Sequence, residues 1–396
     1  MHAHLDCGVH LDWAAGAPLA QVARERMTTF LAWGGGNPSS THRRGKQARL
    51  AVQDAREAVA RLIGADPSCV VFTSGATEAD NLALRGGAWS AREGSGRRHV
   101  LVSAIEHPAV LRAADQLSRE GFDIERVSVG RSGVAIAERF AERLRADTAL
   151  VSLMAVNNEV GTVQPIASVA ALAHQAGALF HCDAVQAVGW QALDVLSLGV
   201  DLLTVSSHKL GGPPGVGALY VREGLDLVPQ VVGGEQENRR RAGTENVLGI
   251  VGLGAVADQV ARERGAACQR LRDLERQLVE GVLARVPRAA RLGDPGAHAP
   301  HIACFLLDDV DGETLLFSLD MAGIAASSGA ACASRSLEPS PTLLAMGLAR
   351  AEASSALRLS WGCSTTDGDV ARLLEALPRL VEQNRAASRR ASRVAP

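Results

Sequence analysis

Between residues 97 and 222 short apolar runs alternate with amphipathic stretches, the rhythm of buried strands joined by helices. The runs at 99–103, 149–154, 178–182 and 201–205 have strand length and few polar residues, as strands covered on both faces do. Residues 166–175 between two of them read as a helix. Strands spaced by helices imply an α/β fold with a parallel sheet and right-handed crossovers, and ligands of such sheets sit beyond the carboxyl ends of the strands.

Polar residues punctuate those ends. Ser103 to His107, then Asn157, Asn158 and Glu159, then Asp183 and Gln186, then Ser206 to Lys209 follow four of the runs and face one rim. Upstream, Thr73-Ser74-Gly75-Ala76-Thr77-Glu78 leads into a helical pattern from Ala79. Small residues and backbone N–H groups there suit a phosphate, and equally suit a plain helix cap. After Val247 the texture changes to a long charged helical stretch, a break at Gly293-Asp294-Pro295-Gly296 and a strand at 301–307, which predicts a second, smaller α+β domain. No internal repeat stands out.

Composition narrows the function classes. With 396 residues, 47% of them hydrophobic, the chain can build one large or two ordinary domains with a sizeable core. A net charge of -2 gives no reason to expect direct nucleic-acid binding, and the locally basic residues 385–393 read as a frayed terminus or, less simply, a docking arm. No window approaches the roughly 18 apolar residues of a membrane span, and the N-terminus lacks a signal-peptide pattern. A soluble cytoplasmic protein is the expectation. Seven scattered cysteines without a CxxC pair argue against a disulfide framework and a structural zinc site, so no metal is expected.

The candidate chemistry centres on Lys209. An apolar strand delivers Ser206-Ser207-His208-Lys209 to the Gly/Pro-rich run 210–217, where backbone can approach a ligand closely. A lysine at the end of a buried strand loses hydration, which lowers its pKa and frees the neutral amine to attack an aldehyde, of which pyridoxal phosphate is the obvious one. Taken alone, the same tetrad describes a solvated lysine in a turn. A pyridoxal phosphate site also needs a carboxylate opposite the pyridine nitrogen, a phosphate cup and a group on the ring face. Asp183 offers the carboxylate, although an Asp at a strand end is also a common helix N-cap.

Residues 180–186 and 206–209 resemble the cofactor motifs of the cysteine desulfurases, pyridoxal phosphate enzymes of fold-type I in the class V aminotransferase group. The resemblance extends over Gly36-Asn37-Pro38-Ser39-Ser40, 72–78, Ala104-Ile105-Glu106-His107-Pro108, 156–161, Arg241-Ala242-Gly243-Thr244-Glu245-Asn246, 327–332 and 336–340 in the family's order. It implies a large domain, 13–258, around a mostly parallel seven-stranded sheet between helices, and a small domain of 1–12 and 259–396 that carries a mobile cysteine loop, 327–336. By resemblance Lys209 is the Schiff-base lysine, His107 stacks on the ring and shuttles protons, and Asp183 pairs with the pyridinium. Ala76, Thr77, Ser206 and His208 hold the phosphate, Asn158 and Gln186 bond the phenolic oxygen side, and Arg358 and Asn37 bind the substrate. Thr244 reaches the phosphate of a partner subunit, so a homodimer is implied.

Cys332 stands apart among the cysteines, because its Gly, Ala and Ser surroundings leave a thiol accessible. Cys69, Cys182, Cys268 and Cys304 sit in apolar or helical patterns and read as inert core residues; Cys7 and Cys363 are bystanders. The resemblance implies conversion of L-cysteine to L-alanine with a persulfide on Cys332, for transfer to an acceptor: an iron–sulfur scaffold, a tRNA-thiolation enzyme, a carrier protein or a DNA-sulfur-modification enzyme. The loop length resembles the iron–sulfur assembly branch. Residues 11–18 depart from the family's Thr-rich entry, and 394–396 lack its scaffold-docking tail. A selenocysteine lyase or cysteine sulfinate desulfinase shares the lysine, aspartate and histidine and is the alternative reading.

Overall fold

The computed structural model describes residues 8–329 and 339–394, with side chains described as far as Arg389. Cys332, most of the 327–336 loop, Cys7 and the last two residues lie outside the described residues. Twelve strands are found among the described residues: β1 (Val9–His10), β2 (Val70–Thr73), β3 (His99–Ser103), β4 (Asp123–Val127), β5 (Thr148–Ser152), β6 (Leu179–Asp183), β7 (Leu202–Ser206), β8 (Gly217–Val221), β9 (Ala289–Leu292), β10 (Ile302–Leu307), β11 (Ile324–Ala325) and β12 (Ala356–Ser360).

Seven of them form one sheet in the order β2-β8-β7-β6-β5-β3-β4, in which β8 runs against both its neighbours and the rest are parallel. Alternate residues along a strand enter opposite cores: Phe180, Cys182, Leu203 and Val205 pack into one, Val100, Val102, Leu150 and Leu202 into the other. A period of two that is apolar on both faces is what a sheet buried between helical layers requires. The fold is α/β of the fold-type I kind.

Three of the expected strands begin one residue from where hydrophobicity alone places them, and β6 and β7 end one residue later, on Asp183 and Ser206. The polar residue thus closes the ladder and stands at its carboxyl edge. The helix Ile166–Gln175 appears as expected. The helix expected from Ala79 starts three residues earlier, at Ala76, because Gly75 turns the chain at φ 154°, ψ 177°, a conformation open to glycine.

A third core gathers Val9 and Leu11 with residues from Leu271 to Val381, around the antiparallel sheet β12-β10-β9. The helix Val247–Arg285 passes from the first core into this one, its N-terminus capped by the Asn246 side chain. Pairing of β1 with β11 ties residues 9–10 to the same region. The basic tail differs from the expectation of a frayed end. It continues the helix Asp367–Val394, and the buried Arg385 donates to the carbonyls of Asp308 and Pro287, both at 2.8 Å. A guanidinium with carbonyl acceptors can be buried where its hydropathy alone would place it in water. No described helix is long and apolar enough to cross a membrane.

Candidate active site

A cavity of about 1090 Å³ opens at the carboxyl edge of the large sheet. Its lining brings together Ala76, Thr77, His107, Asn158 and Asp183 with Gln186, Ser206, His208, Lys209 and Arg358, ten positions drawn from Ala76 to Arg358 along the sequence. Two other expected residues lie elsewhere. Asn37 is exposed and its side chain accepts from the Ser39 amide at 2.9 Å, and Thr244 is exposed outside this lining.

Strand β7 ends at Ser206, and one three-residue 3₁₀ turn, Ser207–Lys209, aims the lysine back over the strand ends. Lys209 Nζ donates to the carbonyls of Ala14 and Ala15, both at 2.6 Å, and the Ala14 carbonyl also accepts from Gln186 Nε2 at 2.9 Å. Segment 11–16 therefore brings backbone acceptors where the family's entry is Thr-rich. His107 caps the helix Pro108–Arg119: its Nδ1 accepts from the Ala109 amide at 3.1 Å, which puts the ring hydrogen on Nε2. Burial, and then the charge of Lys209, lowers the His107 pKa to about 4, so the ring is neutral; the same two causes bring His208 to about 4. The Ser206 hydroxyl meets His208 Nδ1 at 3.1 Å.

Asp183 does make the N-cap-like contact, accepting from the Val185 amide at 2.9 Å. Burial pushes its carboxyl up to about 6, with that amide and Lys209 acting in the opposite direction. Beneath it lies a polar layer that sequence reasoning missed. His181, two residues earlier on the same face of β6, spans neighbouring strands through Ser152 at 2.9 Å and Thr204 at 3.1 Å. Asp80 approaches His181 Nε2 at 3.6 Å, and Glu106 accepts from the Met154 amide at 2.7 Å. Burial first and the Asp183 charge second raise both acids well above the ordinary carboxylate range. The available signal was spacing: Asp80 follows Ala76 by one helical turn, and Glu106 precedes His107.

Arg358 is not a surface residue. It is buried on β12, its Nη2 pairs with Asp12 at 2.5 Å, and its Nη1 donates to the carbonyls of Asn158 and Gly329. Glu159, next to Asn158, accepts from the Ser340 hydroxyl at 2.5 Å and is held above its usual pKa by burial. Of the cysteines described, Cys69, Cys182 and Cys304 are buried, Cys268 is half-buried and Cys363 exposed.

The donor set fits pyridoxal phosphate. An amine, a buried carboxylate and a neutral imidazole line one cavity of suitable size, with hydroxyl, imidazole and helix-start N–H groups at one end of it. The cradle is spare where a phosphate needs room: a side chain on Gly75 would meet nothing within 4 Å on its open side, while one on Gly217 behind it would strike Gly75 at 2.7 Å.

Residues 9–373 match the family described as aminotransferase class-V. A cysteine desulfurase of Cereibacter sphaeroides is 45% identical over 382 residues, covering 96% of this chain and 97% of that protein. Cysteine desulfurase IscS 1 of Archaeoglobus fulgidus is 42% identical, covering 96% and 98%. The solved structure of a NifS-like protein superposes with a TM-score of 0.87 at 33% identity, covering 95% of this chain and 99% of that one.

Proposed function

The chain belongs to the class-V aminotransferase family, as a pyridoxal phosphate-dependent cysteine desulfurase, and on that premise we propose how its own residues carry the reaction. The observation that carries the proposal is the convergence of Lys209, Asp183 and His107 on one cavity. Bound there, pyridoxal phosphate supplies an aldehyde for an amine and a protonated ring that withdraws electrons from the substrate carbon.

Lys209 would hold the cofactor through its Nζ amine and would move the substrate's α-proton through the same atom. Asp183 would pair with the cofactor's ring nitrogen and keep it protonated. His107 would stack on the cofactor ring and shuttle protons, with its ring hydrogen on Nε2. Ala76, Thr77, Ser206 and His208 would hold the phosphate, and Gln186 and Asn158 would bond the phenolic oxygen side of the cofactor. Arg358 clamps the substrate carboxylate. The Cys332 thiolate attacks the substrate sulfur: an S–S bond forms as the Cβ–S bond breaks, the electron pair stays with carbon and a proton completes L-alanine.

Thr244 and Asn37 stand outside this cavity's lining; Thr244 would reach the phosphate of the partner subunit in a homodimer, and Asn37 would bind the substrate. We take the chain as two lobes, 13–258 and 1–12 with 259–396, the second carrying Cys332, working in the cytoplasm and passing sulfur to an acceptor protein such as an iron–sulfur scaffold. The deciding experiment measures alanine and protein-bound persulfide from L-cysteine in the native chain, Cys332→Ala and Lys209→Ala. Both substitutions should abolish turnover. Undiminished alanine without Cys332 would overturn its role and favour a lyase.

A further inference from the structure

The orientation of the Gln186 amide is decided by its two neighbours. Its Nε2 donates to the Ala14 carbonyl at 2.9 Å, and because a carbonyl can only accept, the nitrogen must lie on that side. Its Oε1 then faces Nε2 of His301 at 3.4 Å, a contact that is favourable only if that ring nitrogen carries the hydrogen. His301 is fully buried, and burial lowers its pKa to about 3, so the ring is neutral. Its Nδ1 has no hydrogen-bond partner among the described residues, consistent with a bare nitrogen there.

The ring is itself held. It lies against Trp190 with centroids 4.6 Å apart at 31°, and the His301 carbonyl accepts from the Trp361 amide at 3.1 Å at the entry to β10. A glutamine tied at one end keeps rotational freedom in its three side-chain torsions, whereas one tied at both oxygen and nitrogen has a fixed amide plane. The Ala14 acceptor takes one N–H of Gln186. The second hydrogen of the same nitrogen remains for the cavity that Gln186 lines.

We propose that His301 is a positioning residue of the cofactor pocket: by donating from Nε2 to Gln186 Oε1 it fixes the amide so that Gln186 presents a hydrogen-bond donor to the cofactor's phenolic oxygen. This rests on the reading of Gln186 given above. In an apolar setting a donor on that oxygen stabilises its ionised form, so losing the donor raises the pH at which the bound cofactor's visible band changes.

Two measurements test it. In the cofactor-free protein, nitrogen NMR at pH 7 should find His301 neutral with hydrogen on Nε2. In the holoenzyme, Gln186→Ala and His301→Ala should each raise the midpoint of the visible titration by about one pH unit, tenfold in the equilibrium. The double variant should shift no further than Gln186→Ala alone, since both act through one contact. His301→Gln, which keeps a donor at similar reach, should restore most of the native midpoint; His301→Phe replaces His301→Ala if the smaller side chain prevents folding. Hydrogen on Nδ1, additive shifts in the double variant, or a silent His301 variant beside an active Gln186→Ala would overturn the inference alone. A silent Gln186→Ala would instead overturn the reading of Gln186, and the inference with it.

Discussion

Arg358 donates from Nη2 to the Asp12 carboxylate at 2.5 Å, so the arginine assigned to the substrate is engaged before substrate arrives. The Arg358 side chain is 1% exposed and that of Asp12 22%, which places the pair in a setting where removing one partner leaves a charge poorly solvated. Asp12→Asn should lower the unfolding free energy by about 2 kcal/mol, the scale of a hydrogen bond to a charged group. It should also lower KM for L-cysteine, because Asp12 competes for the donor the substrate carboxylate needs. Arg358→Lys should raise KM at least ~10-fold, a lysine lacking the two-pronged geometry. Denaturant unfolding with cysteine saturation curves checks both, and an unchanged KM in Arg358→Lys would remove the arginine from the substrate site.

The buried His181 makes the apo protein acid-sensitive. Burial lowers its pKa to about 3 from an ordinary value of 6.5, and its ring is occupied by Ser152 and Thr204, with Asp80 near its Nε2. Between those pH values the unfolded chain binds a proton that the native state refuses. Stability therefore falls as pH drops below 6.5, by about 1.36 kcal/mol per unit for this group. His181→Gln keeps two polar ends and removes the titration. Its loss of stability between pH 6.5 and 4.5 should be smaller than the native loss by about 2 kcal/mol in urea unfolding. Parallel curves would mean that His181 is already protonated in the fold.

Much of this architecture was legible in the hydrophobic pattern because the central strands are apolar on both faces, which leaves a run that no exposed element imitates. The pattern missed the last residue of β6 and β7, since Asp183 and Ser206 are polar yet close the ladder. It also sent Arg385 to the solvent, whereas two carbonyls hold that guanidinium inside. Motif resemblance singled out ten residues that line the one cavity. Asp80, His181 and His301 were not, because a polar residue within an apolar run carries no sign of whether it faces water, a partner or another buried acid. Asn37 and Thr244, which the same resemblance singled out, stand outside the lining of the cavity.

Asp80 should behave in the opposite sense to His181. Burial, then the charge of Asp183 and that of Glu106, pushes its carboxyl well above the ordinary value of 3.8, with Thr204 opposing. Above about pH 4 the unfolded chain releases a proton that native Asp80 keeps, so this group costs stability as pH rises. Asp80→Asn preserves the shape of a protonated carboxyl and cannot titrate. The variant should gain on the native protein by at least ~1 kcal/mol between pH 4.5 and 8. A difference that does not change with pH would show Asp80 to be ionised in the fold at both.

Gly217 couples strand pairing to the Gly75 turn proposed to hold the phosphate. It opens β8 opposite Ser206, and a Cβ placed on it would lie 2.7 Å from the Gly75 carbonyl carbon, 2.8 Å from the Val205 carbonyl oxygen and 2.9 Å from Gly75 Cα. All three are backbone atoms, which cannot rotate away as a side chain can. Gly217→Ala must therefore push the Gly75 turn outward, and that turn sets the start of the helix at Ala76 and Thr77. The cofactor affinity should fall at least ~10-fold, equivalent to about 1.4 kcal/mol, because moving that turn would break charge-assisted contacts to phosphate. Gly75→Ala differs in kind: space is open there, but its φ of 154° is one that alanine rarely adopts, so its penalty should appear in thermal stability before affinity. Equilibrium titration of the apo variants with pyridoxal phosphate, alongside thermal unfolding, separates the two. Native affinity in Gly217→Ala would mean that the cup does not depend on the Gly75 turn.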